Sequence, residues 1–157
     1  MTTTEHTTTR RRLEFARTLP RAYTALDDLW SAAVDGLERS LVDLVCLRTA
    51  QLNGCPYCLD MHSKDALHHG ETGERLFQLG AWREADCFTE RERAALALTD
   101  AVTLVRESRV GDETWAAAAA AFDEPELASL LAAIISSNSW NRLLISIREP
   151  AGSYRPD

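Results

Sequence analysis

The chain is short of the residues that interrupt or staple a fold: its 157 residues include 7 glycines, 5 prolines and 4 cysteines. With no Gly/Pro-rich linker and no internal repeat, nothing divides it into more than one domain. A chain of this length buries a real core unaided, so stability does not explain the cysteines. No run of apolar residues approaches the roughly 18 that a membrane span requires, which argues against insertion. No apolar stretch of signal-peptide length stands near the start either, so the expected compartment is the cytoplasm, where structural disulfides are rare. Basic charge is also in deficit: the formal net charge is -7, which argues against nucleic-acid partners because phosphate contacts need a basic face. The local exception, Arg10-Arg11-Arg12, follows a threonine-rich start. Residues 1–12 therefore read as a flexible, solvated tail and residues 13–157 as the folded domain.

Runs of alternating β-branched residues are missing too, while helical spacing recurs almost everywhere, so the expected fold class is all-α. A helix is predicted over about residues 20–35, with Tyr23, Leu26, Trp30 and Val34 on one side and Gly36 as its stop. A second covers about 41–52 and ends at Asn53-Gly54; a third, with Cys55 as N-cap and Pro56 at its first position, runs to about His69. A short helix follows near 72–79, then a long one from a Thr89/Glu92 capping box to about Glu107. The last two span about 112–122, capped by Asp112, and about 125–147, closed by Pro150. The product is a single helical bundle whose long apolar helices can also supply a subunit interface.

Against this background, "QLNGCPYCLDMHSKDALHHG" stands out, because two of the four cysteines are three apart and a histidine lies four beyond the second. On the third helix Cys58 and His62 share a face, and Cys55 sits at the N-terminal edge within reach of Cys58. A thiol in a first turn feels the positive end of the helix dipole, and the imidazole one turn on can take its proton, so Cys58 is expected to be acidic and nucleophilic. Such a thiolate attacks the distal oxygen of a hydroperoxide, and a second cysteine traps the sulfenic acid as a disulfide. Tyr57, between the cysteines, can donate from its phenol or can merely pack.

Other readings compete. Cys55, Cys58 and His62, with His68 or His69, would make a zinc set, but all of them lie on one helix, whose rise carries His69 roughly 20 Å from Cys55. Two buried thiols and a satisfied core histidine is the bland alternative. Asp43 has capping-box spacing from Ser40. Cys46 and Cys87 read as buried bystanders, Trp115 and Trp140 as core or interface, and His68 and His69 as helix-closing caps.

The stretches "LVDLVCLRTAQLNGCPYCLDMHSKDALHHGET" and "RLFQLGAWREADCFTERERAALALTDAVTLV" resemble the AhpD-like alkylhydroperoxidases of the carboxymuconolactone decarboxylase superfamily, over about residues 37–107. The resemblance implies an all-helical fold, thiol peroxidase activity without a cofactor, and assembly as a trimer or hexamer. It makes Cys58 the peroxidatic residue, Cys55 the resolving one and His62 the family histidine. The family's acidic relay, ordinarily glutamate twelve positions before the first cysteine, falls on Asp43, one methylene shorter, so that a bridging water is needed to reach the histidine. The expected activity is reduction of organic hydroperoxides or hydrogen peroxide, with a lipoyl or thioredoxin-like dithiol as reductant. The alternatives are a redox-responsive or zinc-stabilised helical module and a lactone decarboxylase-like reaction on the same fold.

Overall fold

Three prolines stand at helix starts in this chain, and two glycines stand just beyond helix ends. Leu19 precedes Pro20 at the head of one helix, Pro56 opens another, and Pro125 lies in the first turn of the last. Gly54, at φ 67, and Gly70, at φ 96, hold left-handed backbone just beyond two helix ends, where a side chain would be strained. The computed structural model describes residues 10–156. Its helices are α1 (Phe15–Thr18), α2 (Pro20–Val34), α3 (Arg39–Asn53), α4 (Pro56–His68), α5 (Gly73–Gln78), α6 (Glu90–Thr103), α7 (Val105–Ser108), α8 (Asp112–Ala121) and α9 (Glu124–Ile147). A single 3-10 turn, Leu79–Ala81, follows α5, and the described residues contain no strand. The all-α, single-domain expectation is met.

The centre of the bundle is α3, which packs against α4, α6 and α9. Its Leu41 and Val45 join Leu98, Phe122, Leu130 and Ile134 in one apolar cluster. Leu44 and Leu47, on another face, meet Leu79, Trp82, Phe88 and Leu96. Ala50 closes a third cluster with Cys55 and Cys58. Each fully buried leucine is worth roughly 1.5–3 kcal/mol relative to exposure, so α3 anchors the fold and holds the cysteine turn on it.

Several local expectations change. Ser40 does not cap α3: Glu38 is the N-cap, with no side-chain hydrogen bond, and Ser40 is already helical. Asp112 is the first residue of α8 rather than its cap, which is Gly111. The long helix expected to reach Glu107 breaks at Leu104, where ψ rises to 30. No glycine or proline lies between residues 81 and 110 to mark that break in the sequence. The Thr89/Glu92 capping box forms as expected, and α9 has one of its own from Asp123 and Glu126.

Of the expected tail, residues 1–9 lie outside the described residues. Arg11 and Arg12 are anchored: the Arg12 backbone N–H donates to Ile147 O at 2.8 Å, and Arg11 bridges Glu14 and Glu149. This connection ties the segment before α1 to the end of α9. No helix among the described residues is long and apolar enough to cross a membrane.

Candidate active site

The cysteine turn follows from two local instructions. Gly54 ends α3 in the left-handed region, and Pro56 restarts helical geometry two residues later, so Cys55 is left in extended backbone as the N-cap of α4. Cys58 lies one turn along, and the two cysteines are joined as a disulfide with their Cα atoms 5.3 Å apart. The Cys58 backbone N–H donates to Cys55 Sγ at 3.3 Å, so the helix terminus directs this N–H at the first sulfur, not the second. Both cysteines are buried, at 0% and 1% exposure.

A cavity of about 440 Å³ adjoins the dithiol. Its lining includes Cys58 but not Cys55, so one sulfur-bearing residue faces the space and its partner lies behind it. The apolar part of the wall is rich in aromatic residues, Tyr23 and Trp140 meeting edge to face with centroids 5.0 Å apart and Trp30 lying 6.4 Å from the His62 ring, while charged residues, Arg39, Asp43, Asp65 and Glu149 among them, line the rest. Trp140, expected in the core or an interface, is a cavity wall, whereas Trp115 is exposed. The size and the aromatic part of the lining, with convergent polar groups, suit a small organic ligand.

Tyr57, His62 and Asp43 all line this cavity beside Cys58. Burial pushes the Tyr57 phenol up, which keeps its proton in place as a donor. Burial pushes the His62 imidazole down to about 4, partly opposed by Asp65, so at neutral pH the ring is uncharged. No hydrogen bond joins His62 to Cys58 in this disulfide state, nor to any other described residue. A neutral ring has a free lone pair but is a weak base at this depressed pKa, and it is not a standing cation.

Asp43 departs most from expectation. Its carboxylate does not hydrogen-bond His62; Oδ2 instead meets His69 Nδ1 at 2.7 Å. Burial raises its pKa, while the bond to His69 and the charge of Arg39 act in the opposite direction. His69 was expected only to close α4. It does so through its backbone N–H to Asp65 O at 2.9 Å, and its side chain reaches across to α3 as well. Asp65, which also lines the cavity, accepts from Tyr154 Oη at 2.7 Å.

The pairing of Asp43 with His69 follows from how two helices align rather than from a local motif. The two helices form a hairpin, in which Asp43 lies ten residues before the end of α3 and His69 thirteen after the start of α4, about 15 Å and about 20 Å from the turn. His62, about 9 Å from the turn, is on the other side of the Asp43 level. Aspartate lies between two histidines in level and bonds to the one farther from the turn.

Cys46 is buried and free, and burial drives its thiol far above the ordinary range. Cys87 is free and half-buried. Neither lines the cavity, so both stand as bystanders to it. Among the described residues no three His, Cys, Asp or Glu side chains are grouped to hold a metal ion.

Residues 19–101, more than half of the chain, match the carboxymuconolactone decarboxylase family. YdfG, an uncharacterised protein of Bacillus subtilis strain 168, is 38% identical over 117 residues, which are 74% of this chain and 80% of YdfG. The crystal structure of ATU0492 from Agrobacterium tumefaciens, a protein of unknown function with a suggested AhpD-type antioxidant defence role, has a TM-score of 0.87 and 32% identity. That similarity covers 92% of this chain and 100% of ATU0492. The debrominase Bmp8 has a TM-score of 0.77 at 19% identity, over 87% of this chain and 74% of its own, and has also been solved with 2,3,4-tribromopyrrole. At that identity the likeness is one of fold alone, and it shows that the fold hosts more than one reaction. The paired cysteines, the helical bundle and these matches agree: the chain belongs to the carboxymuconolactone decarboxylase family, as an AhpD-like member.

Proposed function

We propose that the protein is a cofactor-independent dithiol peroxidase, in which Cys58 takes the oxygen and Cys55 resolves it. The observation that carries this reading is the placement of the pair: Cys58 lines the cavity and Cys55 is already bonded to it from behind. In the reduced protein the Cys58 thiol gives its proton to a neighbouring base. The thiolate then donates an electron pair to the distal peroxide oxygen, an S–O bond forms, the O–O bond breaks, and the leaving alkoxide takes a proton to become an alcohol. The Cys55 sulfur next attacks the sulfenic sulfur, forming the disulfide and releasing water. In sum, one hydroperoxide is reduced to alcohol and water while two thiols are oxidised.

His62 is the nearest base by helix geometry, and Tyr57 is a protonated donor on the same wall. The aromatic and aliphatic part of the cavity wall favours an organic hydroperoxide over hydrogen peroxide. An external dithiol must reduce the disulfide for a second cycle, and because Cys58 is only 1% exposed, a slender lipoyl-type arm suits the cavity better than a thioredoxin-like protein surface. Such cycling belongs in a reducing compartment, hence the cytoplasm, and assembly as a homotrimer or homohexamer is part of the same reading. A decarboxylase-like reaction has no need of a paired dithiol, and the zinc module lacks a metal-holding cluster among the described residues.

The test is turnover of an organic hydroperoxide with a dithiol reductant. Cys58→Ser abolishes it, and Cys55→Ser allows oxidation of Cys58 without disulfide cycling. Wild-type turnover in Cys58→Ser refutes the assignment.

A further inference from the structure

The cavity brings together groups that must exchange protons. Cys58 must lose one before attack, and the leaving alkoxide must gain one, yet the neutral His62 ring has no hydrogen-bond partner among the described residues through which to pass a proton on. Asp43 does have such a partner. Its side chain is 5% exposed and lines the cavity, while the His69 ring bonded to it is 28% exposed and meets solvent. The pair therefore runs from the cavity wall to the surface of the bundle, with α3 supplying the inner group and the C-terminal cap of α4 the outer one.

We propose that His69 is a positioning and proton-transfer residue: hydrogen-bonded to Asp43, it connects the cavity beside Cys58 with bulk water, so that protons enter and leave through the Asp43–His69 pair. This rests on the dithiol reading of the site but not on peroxide being its oxidant, since reduction of the disulfide also needs protons delivered to the two sulfurs. His69 does not itself line the cavity and acts through Asp43, which does. Imidazole suits this task because it can accept a proton at one nitrogen and release it from the other, which a carboxamide cannot do. The groups facing Asp43 are His69 and Asp65 from the α4 side and Arg39 on its own helix; the ring beside His69 is His68, edge to face at 5.8 Å.

A purely structural pair would tie the end of α4 to α3 and nothing more. His69→Gln separates the two roles, because glutamine keeps a hydrogen bond to Asp43 but cannot carry a proton; His69→Ala opens a space for added imidazole. Two rates are measured for each form: organic hydroperoxide turnover with a dithiol reductant, and stoichiometric reduction of the Cys55–Cys58 disulfide by dithiothreitol. Thermal melting checks the fold of each variant. The expected result is a loss of about tenfold or more in both rates for His69→Gln at unchanged melting temperature, with imidazole restoring His69→Ala. Wild-type rates in His69→Gln overturn the proposal, as does a slow His69→Ala that imidazole does not rescue. If the wild-type protein turns over no hydroperoxide, the peroxidase reading fails by itself, and the disulfide-reduction rates still decide the role of His69.

Discussion

His62 shows how one residue changes meaning between sequence and fold. Four residues beyond Cys58 on the same helix, it is legible as the thiol's partner from spacing alone. What spacing does not reveal is its environment, which holds the ring neutral with a pKa near 4 against an ordinary 6.5. This has a consequence for stability. Because the folded pKa is depressed, the unfolded chain takes up a proton that the folded chain refuses as pH falls below 6.5, so stability declines between about pH 6.5 and 4. The whole effect is on the order of 3 kcal/mol. Urea melts of the oxidised protein across that range should show the decline, and His62→Gln should remove most of the difference; parallel curves for the two proteins would contradict the burial of His62. In the reduced protein a Cys58 thiolate raises the same pKa, so the decline should be smaller there. Asp43 is the opposite lesson. Its family position marked it as a relay group, but its partner depends on how two helices align across a turn, which no local motif encodes.

At the scale of elements, helices bounded by a proline or glycine were legible to within a residue or two. This holds for α2, α3, α4 and α9, each with such a residue at one end. The short α1 was not, since a four-residue helix has no period to read. The break at Leu104 was equally silent. Between α5 and α6 the chain has only a 3-10 turn, and there order is imposed from outside by one side chain: Arg93 donates to the carbonyls of Trp82 at 3.0 Å, Arg83 at 3.1 Å and Phe88 at 3.1 Å, and also to Ala85. Its fork satisfies acceptors that the irregular backbone cannot pair internally. Arg93→Ala should therefore cost about 2 kcal/mol in chemical denaturation, with Arg93→Lys recovering only part of it. An alanine variant as stable as wild type would show that this segment is held by its apolar contacts alone.

For the whole molecule, the disulfide position comes from one hairpin but the site needs distant parts of the chain. Residues near the N-terminus, α2, the cysteine hairpin, the second half of α9 and Tyr154 all contribute walls to a single cavity. Composition and periodicity gave the helices that enclose it, and the CxxCxxxH spacing gave its chemistry. The cavity itself depends on long-range packing and could not be seen in advance. What it adds is direction, since it is open to Cys58 and closed to Cys55. The reduced Cys55→Ser protein, treated with one equivalent of an organic hydroperoxide in the presence of dimedone and mapped by peptide mass spectrometry, tests that direction most directly. A dimedone adduct confined to Cys58 is the predicted result; no adduct, or one on Cys46 or Cys87 instead, would contradict it.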